Sequence, residues 1–161
     1  MATTDLSKYD PEKVPSCENM RFGLVVSEWN SQITNALAAG AVSMLRKHGA
    51  AEENIVVKYV PGSFELPLGG QYFAEMENVD AVILLGCVIQ GETRHFDFIC
   101  EGVTQGTMEL NLKYNKPFIF GVLTTENEQQ ALDRAGGIHG NKGDEAAITA
   151  IKMVALKRSF L

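Results

Sequence analysis

Positive charge is in short supply in this chain. It carries 14 lysines and arginines against 20 aspartates and glutamates, a net charge of -6 at pH 7. Nucleic acid is thereby excluded as the main partner, because phosphate backbones recruit basic surfaces. A small anionic ligand stays open, since a binding site is set by local charges. Cysteine is scarce as well. Cys17, Cys87 and Cys100 form no CxxC pair and no metal-type spacing, and an odd count makes a poor disulfide framework. That usage fits a reducing, cytoplasmic setting. No run is long enough to cross a membrane. The opening "MATTDLSKYDPEKVPSCEN" is polar, contains Pro11 and Pro15, and lacks the apolar core that a signal peptide needs. No HExxH or paired-ligand spacing supports a metal site from Glu92, His95, Asp97 and His139.

The composition that remains is that of a globular protein. With 161 residues, 45% hydrophobic and 21% charged, the chain is expected to form one domain around a single sizeable core. The apolar runs at 21–27, 54–60, 81–89 and 117–125 read as strands; "AVILLGCVI" at 81–89 is apolar at nearly every position, as a strand covered on both faces should be. Between them lie helical patterns. Ile33, Leu37, Ala41, Met44 and Leu45 recur at helical spacing, with Asn30 or Ser31 available as a cap and Gly49 as a stop. "FELPLGGQYFAEMEN" reads as a helix weakened by Gly69 and Gly70, and a long helix is expected from about Phe96 to Tyr114. Thr125 to Glu128 has the form of a capping box opening a helix through Arg134. The loop "GGIHGNKG" (136–143) and a final helix "DEAAITAIKMVALKR" close the chain, and residues 1–19 read as an N-terminal arm ahead of a domain at 20–161.

Strands alternating with helices imply an α/β fold with a parallel sheet and right-handed crossovers. Ligands of such sheets bind beyond the carboxyl ends of the strands. That edge collects Trp29, then Ser63, Phe64 and Glu65, then Gly91 to His95, then Thr124 and Thr125. A flat ligand that stacks on aromatics and carries polar edges suits the set. His95 is either a packing histidine or an acid/base, and its place just past the central strand beside Glu92 and Asp97 favours chemistry more than its residue type does. Gly91 to Arg94 is either a plain turn or an anion site built on helix-start amides. "GGIHGNKG" is not a P-loop: Lys142 precedes Gly143 rather than Ser or Thr, and the loop follows a helix. It is either a flexible connection or a means of presenting Lys142.

"VVSEWN", "VPGSFELP", "GCVIQGETRHFDFIC", "FIFGVLTTEN" and "RAGGIHGNKGDEAA", in this order, resemble the lumazine synthase family over nearly the whole chain after the arm. The resemblance implies a flavodoxin-like three-layer fold with a central four-stranded parallel sheet. It also implies a cofactor-free condensation of 5-amino-6-(D-ribitylamino)uracil with 3,4-dihydroxy-2-butanone 4-phosphate. By the same resemblance Trp29 stacks on the pyrimidine, with Phe120 of a neighbouring subunit completing the pocket. Ser63, Phe64 and Glu65 hold the ribityl chain, Cys87, Val88 and Ile89 line the ring site, and Lys142 faces the ring's polar edge. Glu92 and Thr93 bind the phosphate with help from Arg134, and His95 is the acid/base.

Some positions depart from the common pattern. Trp29 replaces a frequent Phe, Ser63 a frequent Ala, and Glu92 a frequent small residue, so Glu92 is expected to act through its backbone amide. Arg94 is an added cation with no role implied. The family assembles as pentamers, some in icosahedral shells. The short "AGGIHGNKG" points to the shell, with the arm on a neighbour's sheet edge and riboflavin synthase as a possible guest. Rival readings are a flavin-binding module and a mainly structural shell protein.

Overall fold

A computed structural model describes residues 9–76 and 78–161. Its centre is four parallel strands, β1 (Phe22–Ser27), β2 (Ile55–Val60), β3 (Ala81–Ile89) and β4 (Phe118–Thr125), in the order β2-β1-β3-β4. The helices are α1 (Ser31–Lys47), α2 (Leu66–Met76), α3 (His95–Tyr114), α4 (Glu128–Leu132) and α5 (Lys142–Ser159). A small antiparallel hairpin, β5 (Ala135–Gly137) and β6 (Gly140–Asn141), joins α4 to α5.

Side chains alternate across the sheet and so feed two cores. On one face Leu24, Val26, Ile83 and Leu85 meet Leu37 and Leu45 of α1 and Ala147 and Ile151 of α5. On the other Val25, Val82 and Leu84 meet Leu66 and Phe73 of α2 and Val103 and Leu110 of α3. All of β1 is buried, as are the first seven residues of β3, because helices cover both faces. The three-layer α/β architecture expected from the sequence is the one found.

Local chemistry fixes the helix ends. Past α1, Gly49 takes φ 105, Gly49 N–H donates to the Arg46 carbonyl and Ala50 N–H to that of Leu45. This is the paired bonding that a left-handed glycine allows at a helix stop. Asn141 starts α5 by accepting from Gly143 N–H at 2.8 Å, and its amide nitrogen donates to the Ala36 carbonyl of α1 at 2.9 Å. At that crossing a Cβ on Gly143 would stand 1.9 Å from the Leu37 carbonyl oxygen, so α5 and α1 touch backbone to backbone.

Several expectations are corrected. The capping box at Thr125 and Glu128 lies two residues further on. Thr125 still belongs to β4, and its carbonyl accepts from Gln90 N–H, so the strand has not yet ended there. Asn127 is the cap, accepting from Gln130 N–H at 2.9 Å, while Gln130 Oε1 accepts from Glu126 N–H at 3.0 Å. The helix it opens stops at Leu132 rather than Arg134. The second helix begins at Leu66, after a turn of 3-10 helix at Ser63–Glu65, and is described to Met76. The glycine-rich segment is a hairpin rather than a loop, and Lys142 is the first residue of α5. Asn30 precedes α1 in a left-handed conformation (φ 59), but its side chain does not cap.

Of the expected arm, residues 1–8 lie outside the described residues. In the remainder Val14 and Cys17 are buried in the α1/α5 core, and the Tyr9 hydroxyl sits 3.2 Å from His48 Nε2. At the amino ends of the strands, Asp80 accepts from Arg21 N–H at 2.7 Å and from Arg158 at 3.3 Å, and Arg158 also donates to the Asn19 carbonyl. Among the described residues no helix is long and apolar enough to cross a membrane.

Candidate active site at the switch point of the sheet

From β1 the chain returns through β2 on one side, while β3 and β4 extend the sheet on the other. The helix after β1 covers one face and the helix after β3 covers the opposite face. Their divergence leaves a crevice above the carboxyl ends of β1 and β3, the usual ligand position in open parallel sheets. A cleft of about 790 Å³ lies there. Trp29 and Asn30 enter it from β1, Pro61 to Glu65 from β2, Cys87 to Ile89 from β3, and His95, Phe98 and Ile99 from the first turn of α3.

The cleft pairs exposed aromatics with groups at its floor. Trp29 is 74% exposed, Phe64 59% and Phe98 62%. A soluble protein shows three large aromatics around one crevice where a ligand or partner covers them. Beneath them Asn30 Nδ2 donates to the Cys87 carbonyl at 3.0 Å, tying the ends of β1 and β3 together. Thr34 Oγ1 donates to the Ser27 carbonyl at 2.7 Å, which fixes α1 to the strand that precedes it. Burial, with Glu128 nearby, pushes the Cys87 thiol up to about 11. It is a neutral, apolar wall at physiological pH rather than a nucleophile. Ser63 packs against Gly86, where a Cβ would come 2.6 Å from its hydroxyl oxygen; among the described residues that hydroxyl has no partner.

Beyond β3 the chain turns through Gly91, Glu92 and Thr93, all exposed, before His95 opens α3. A Cβ on Gly91 would meet nothing within 4 Å, so the turn is open to an approaching group. His95 N–H points to Thr93 Oγ1 at 3.4 Å. The residue at the cap position, Arg94, makes no side-chain cap; its carbonyl accepts from Asp97 N–H at 3.0 Å and from Phe98 N–H at 3.4 Å, and the dipole of the twenty-residue helix makes this end electropositive. Asp97 is not the partner of His95, because its carboxylate is taken by Arg94 at 3.4 Å.

A second cleft of about 670 Å³ runs along β4 and α5. It gathers Phe120, Thr124, Thr125, Arg134, Lys142 and Glu145. Arg134 is held one turn back by the Gln130 carbonyl at 2.9 Å. The Lys142 ammonium meets the Glu145 carboxylate at 2.8 Å, with both side chains about three-quarters buried. The sequence-expected residues therefore sort into groups. Trp29, Ser63, Phe64, Glu65, Cys87, Val88, Ile89 and His95 line the first cleft, and Phe120, Arg134 and Lys142 line the second. Glu92 and Thr93 stand on the turn without lining either. Asn30 and Phe98 were missed by sequence reasoning. Phe98 follows His95 by three positions, which puts both on one helix face and could have signalled it.

The architecture is that of an open parallel α/β protein with an aromatic, histidine-bearing crevice at its switch point. The chain belongs to the 6,7-dimethyl-8-ribityllumazine synthase family, whose profile it matches over residues 19–158. It is 62% identical to the 6,7-dimethyl-8-ribityllumazine synthase of Cytophaga hutchinsonii, covering 96% of each chain. Identity to the enzyme of Parabacteroides distasonis is 60%, over 96% of this chain and 98% of that one. For Porphyromonas gingivalis it is 54%, over 98% and 99%.

Proposed function

We propose that the chain condenses 5-amino-6-(D-ribitylamino)uracil with 3,4-dihydroxy-2-butanone 4-phosphate to 6,7-dimethyl-8-ribityllumazine, phosphate and two waters, the penultimate step of riboflavin biosynthesis. The supporting observation is the crevice itself. Within a chain of this family, His95 stands at the mouth of an aromatic cleft, at the electropositive amino end of a twenty-residue helix. The nucleophile is the substrate's own amine, which agrees with a cleft whose cysteine is a neutral thiol. The amine attacks the ketone and water leaves as the imine forms. Phosphate then departs, and the second nitrogen closes the ring on the remaining carbonyl with loss of a second water. Each step moves a proton between carbon, nitrogen and oxygen, and His95 is the residue that relays it. Holding both reactants in register supplies much of the acceleration.

Trp29 stacks on the pyrimidine, Ser63, Phe64 and Glu65 hold the ribityl chain, and Cys87 to Ile89 form the wall. Thr93 and the Glu92 backbone amide receive the phosphate. Phe120, Arg134 and Lys142 come from a neighbouring copy, because in a single chain they line the separate β4 cleft. Arg134 then meets the departing phosphate dianion across the interface. Exposed apolar residues support a homo-oligomer: Leu68, Tyr72 and Met76 recur every fourth residue on α2, and Met108 and Leu112 do so on α3. Pentamers are the proposed unit, and the compact hairpin between α4 and α5 favours an icosahedral shell, with riboflavin synthase as a candidate guest. The proposed setting is the cytoplasm. Mixing purified protein with the two substrates and following lumazine fluorescence tests the reading. Product formation is expected; tight riboflavin binding without product would replace the enzyme by a flavin-binding module.

A further inference from the structure

Arg94 and Phe98 are left unused by the roles above, yet the structure joins them at the cleft. Phe98 is an aromatic on the first turn of α3, 62% exposed, and it lines the crevice beside His95. A phenylalanine that exposed on a 20-residue helix is not serving the core. Arg94 stands one turn earlier. Its guanidinium bonds the Asp97 carboxylate at 3.4 Å and lies over the Phe98 ring, 5.9 Å from the centroid. The carboxylate holds the guanidinium, and the guanidinium covers one face of the ring, which favours the rotamers that leave the other face to the cleft. With its charge paired to Asp97, Arg94 is poorly suited to serve as a free phosphate ligand.

We propose that Phe98 is a further ring-contacting residue of the crevice and that Arg94 is a positioning residue that holds it there. This rests on the reading of the crevice as the pyrimidine and flavin site. The reason for two residues is geometric. Trp29 and Phe64 leave β1 and β2, whereas Phe98 leaves α3. A rigid third aromatic on the helix that also carries His95 sets the ring of the ligand relative to the imidazole. An exposed ring free to rotate would lose part of that setting to rotamer entropy.

The test uses the full chain and riboflavin as a flat probe, with binding read from flavin fluorescence quenching. Phe98→Ala is expected to weaken riboflavin binding about tenfold, and Phe98→Tyr to restore most of it. Arg94→Ala is expected to weaken it about threefold, raising KM for the pyrimidine substrate with little change in kcat, and Arg94→Lys to recover part of the loss. In the double variant the Arg94 effect is expected to vanish, because there is no ring left to hold. Unchanged binding in Phe98→Ala, or additive effects of the two substitutions, would overturn the proposal. So would a change of oligomeric state on gel filtration with affinity intact, since Phe98 would then be a subunit contact. If the wild-type protein forms no lumazine, the enzyme reading fails while the riboflavin arm still decides the role of Phe98. If lumazine forms and the Phe98 variants bind as wild type, this inference fails alone.

Discussion

The crevice at the switch point and the cleft along β4 have similar sizes, about 790 and 670 Å³, and opposite chemistry. The first holds aromatics and an imidazole at the amino end of α3. The second holds Arg134 and Lys142 with two phenylalanines, Phe118 buried at 3% and Phe120 40% exposed. A phosphate-releasing condensation needs both sets: stacking and proton transfer on one side, cationic stabilisation on the other. Neither cleft contains the whole set, and the chain carries exposed apolar residues along α2 and α3. The difference between the clefts is what an assembly of identical subunits would be expected to erase.

Substitutions can break that comparison at different depths. The largest effect is expected from His95→Ala, which should lower turnover by about a hundredfold to ten-thousandfold while gel filtration shows the wild-type assembly. Unchanged turnover would remove the proton-relay role. Arg134→Ala, in the opposite cleft, should lower turnover about tenfold to a hundredfold, with the phosphorylated substrate's KM rising and that of the pyrimidine holding steady. Gly143→Ala lies outside both clefts. A Cβ 1.9 Å from the Leu37 carbonyl forces α5 off α1, so thermal unfolding should show a loss of about 2 to 3 kcal/mol. A variant as stable as wild type would mean that the two helices separate freely. The smallest effect concerns Cys87. With its thiol pushed up to about 11, alkylation by iodoacetamide should be negligible at neutral pH and rise only as the pH climbs toward that value. Cys87→Ser should leave turnover within about threefold of wild type, because a neutral wall is not a reactant.

Much of this was legible in the sequence, and the misses share a cause. The apolar run at 81–89 needs burial on both faces, which placed β3 at the centre and its polar successors at the carboxyl edge. That rule found Trp29, Ser63 to Glu65 and His95 without any contact being known. It could not find that Phe120, Arg134 and Lys142 sit in a different cleft, because strand order and the edge position of β4 are tertiary facts. The capping box failed for a similar reason. Thr125 and Glu128 have the right spacing, but the β4 ladder runs through Thr125 and passes the role to Asn127 and Gln130. Asn30 looked like a helix cap, and its amide instead reaches Cys87 on the neighbouring strand. Arg94 had no role in the sequence because its partners, Asp97 and Phe98, become neighbours only once α3 starts at His95.

The claim that the two clefts are halves of one site is tested most directly by co-assembling two impaired variants, His95→Ala and Arg134→Ala. In a mixed assembly some interfaces join an intact crevice from one copy to an intact β4 cleft from its neighbour. The account predicts that turnover returns to about a quarter of the wild-type level when the two are mixed evenly. A mixture no more active than the average of its parents, although both variants are present in the same particles, would contradict it.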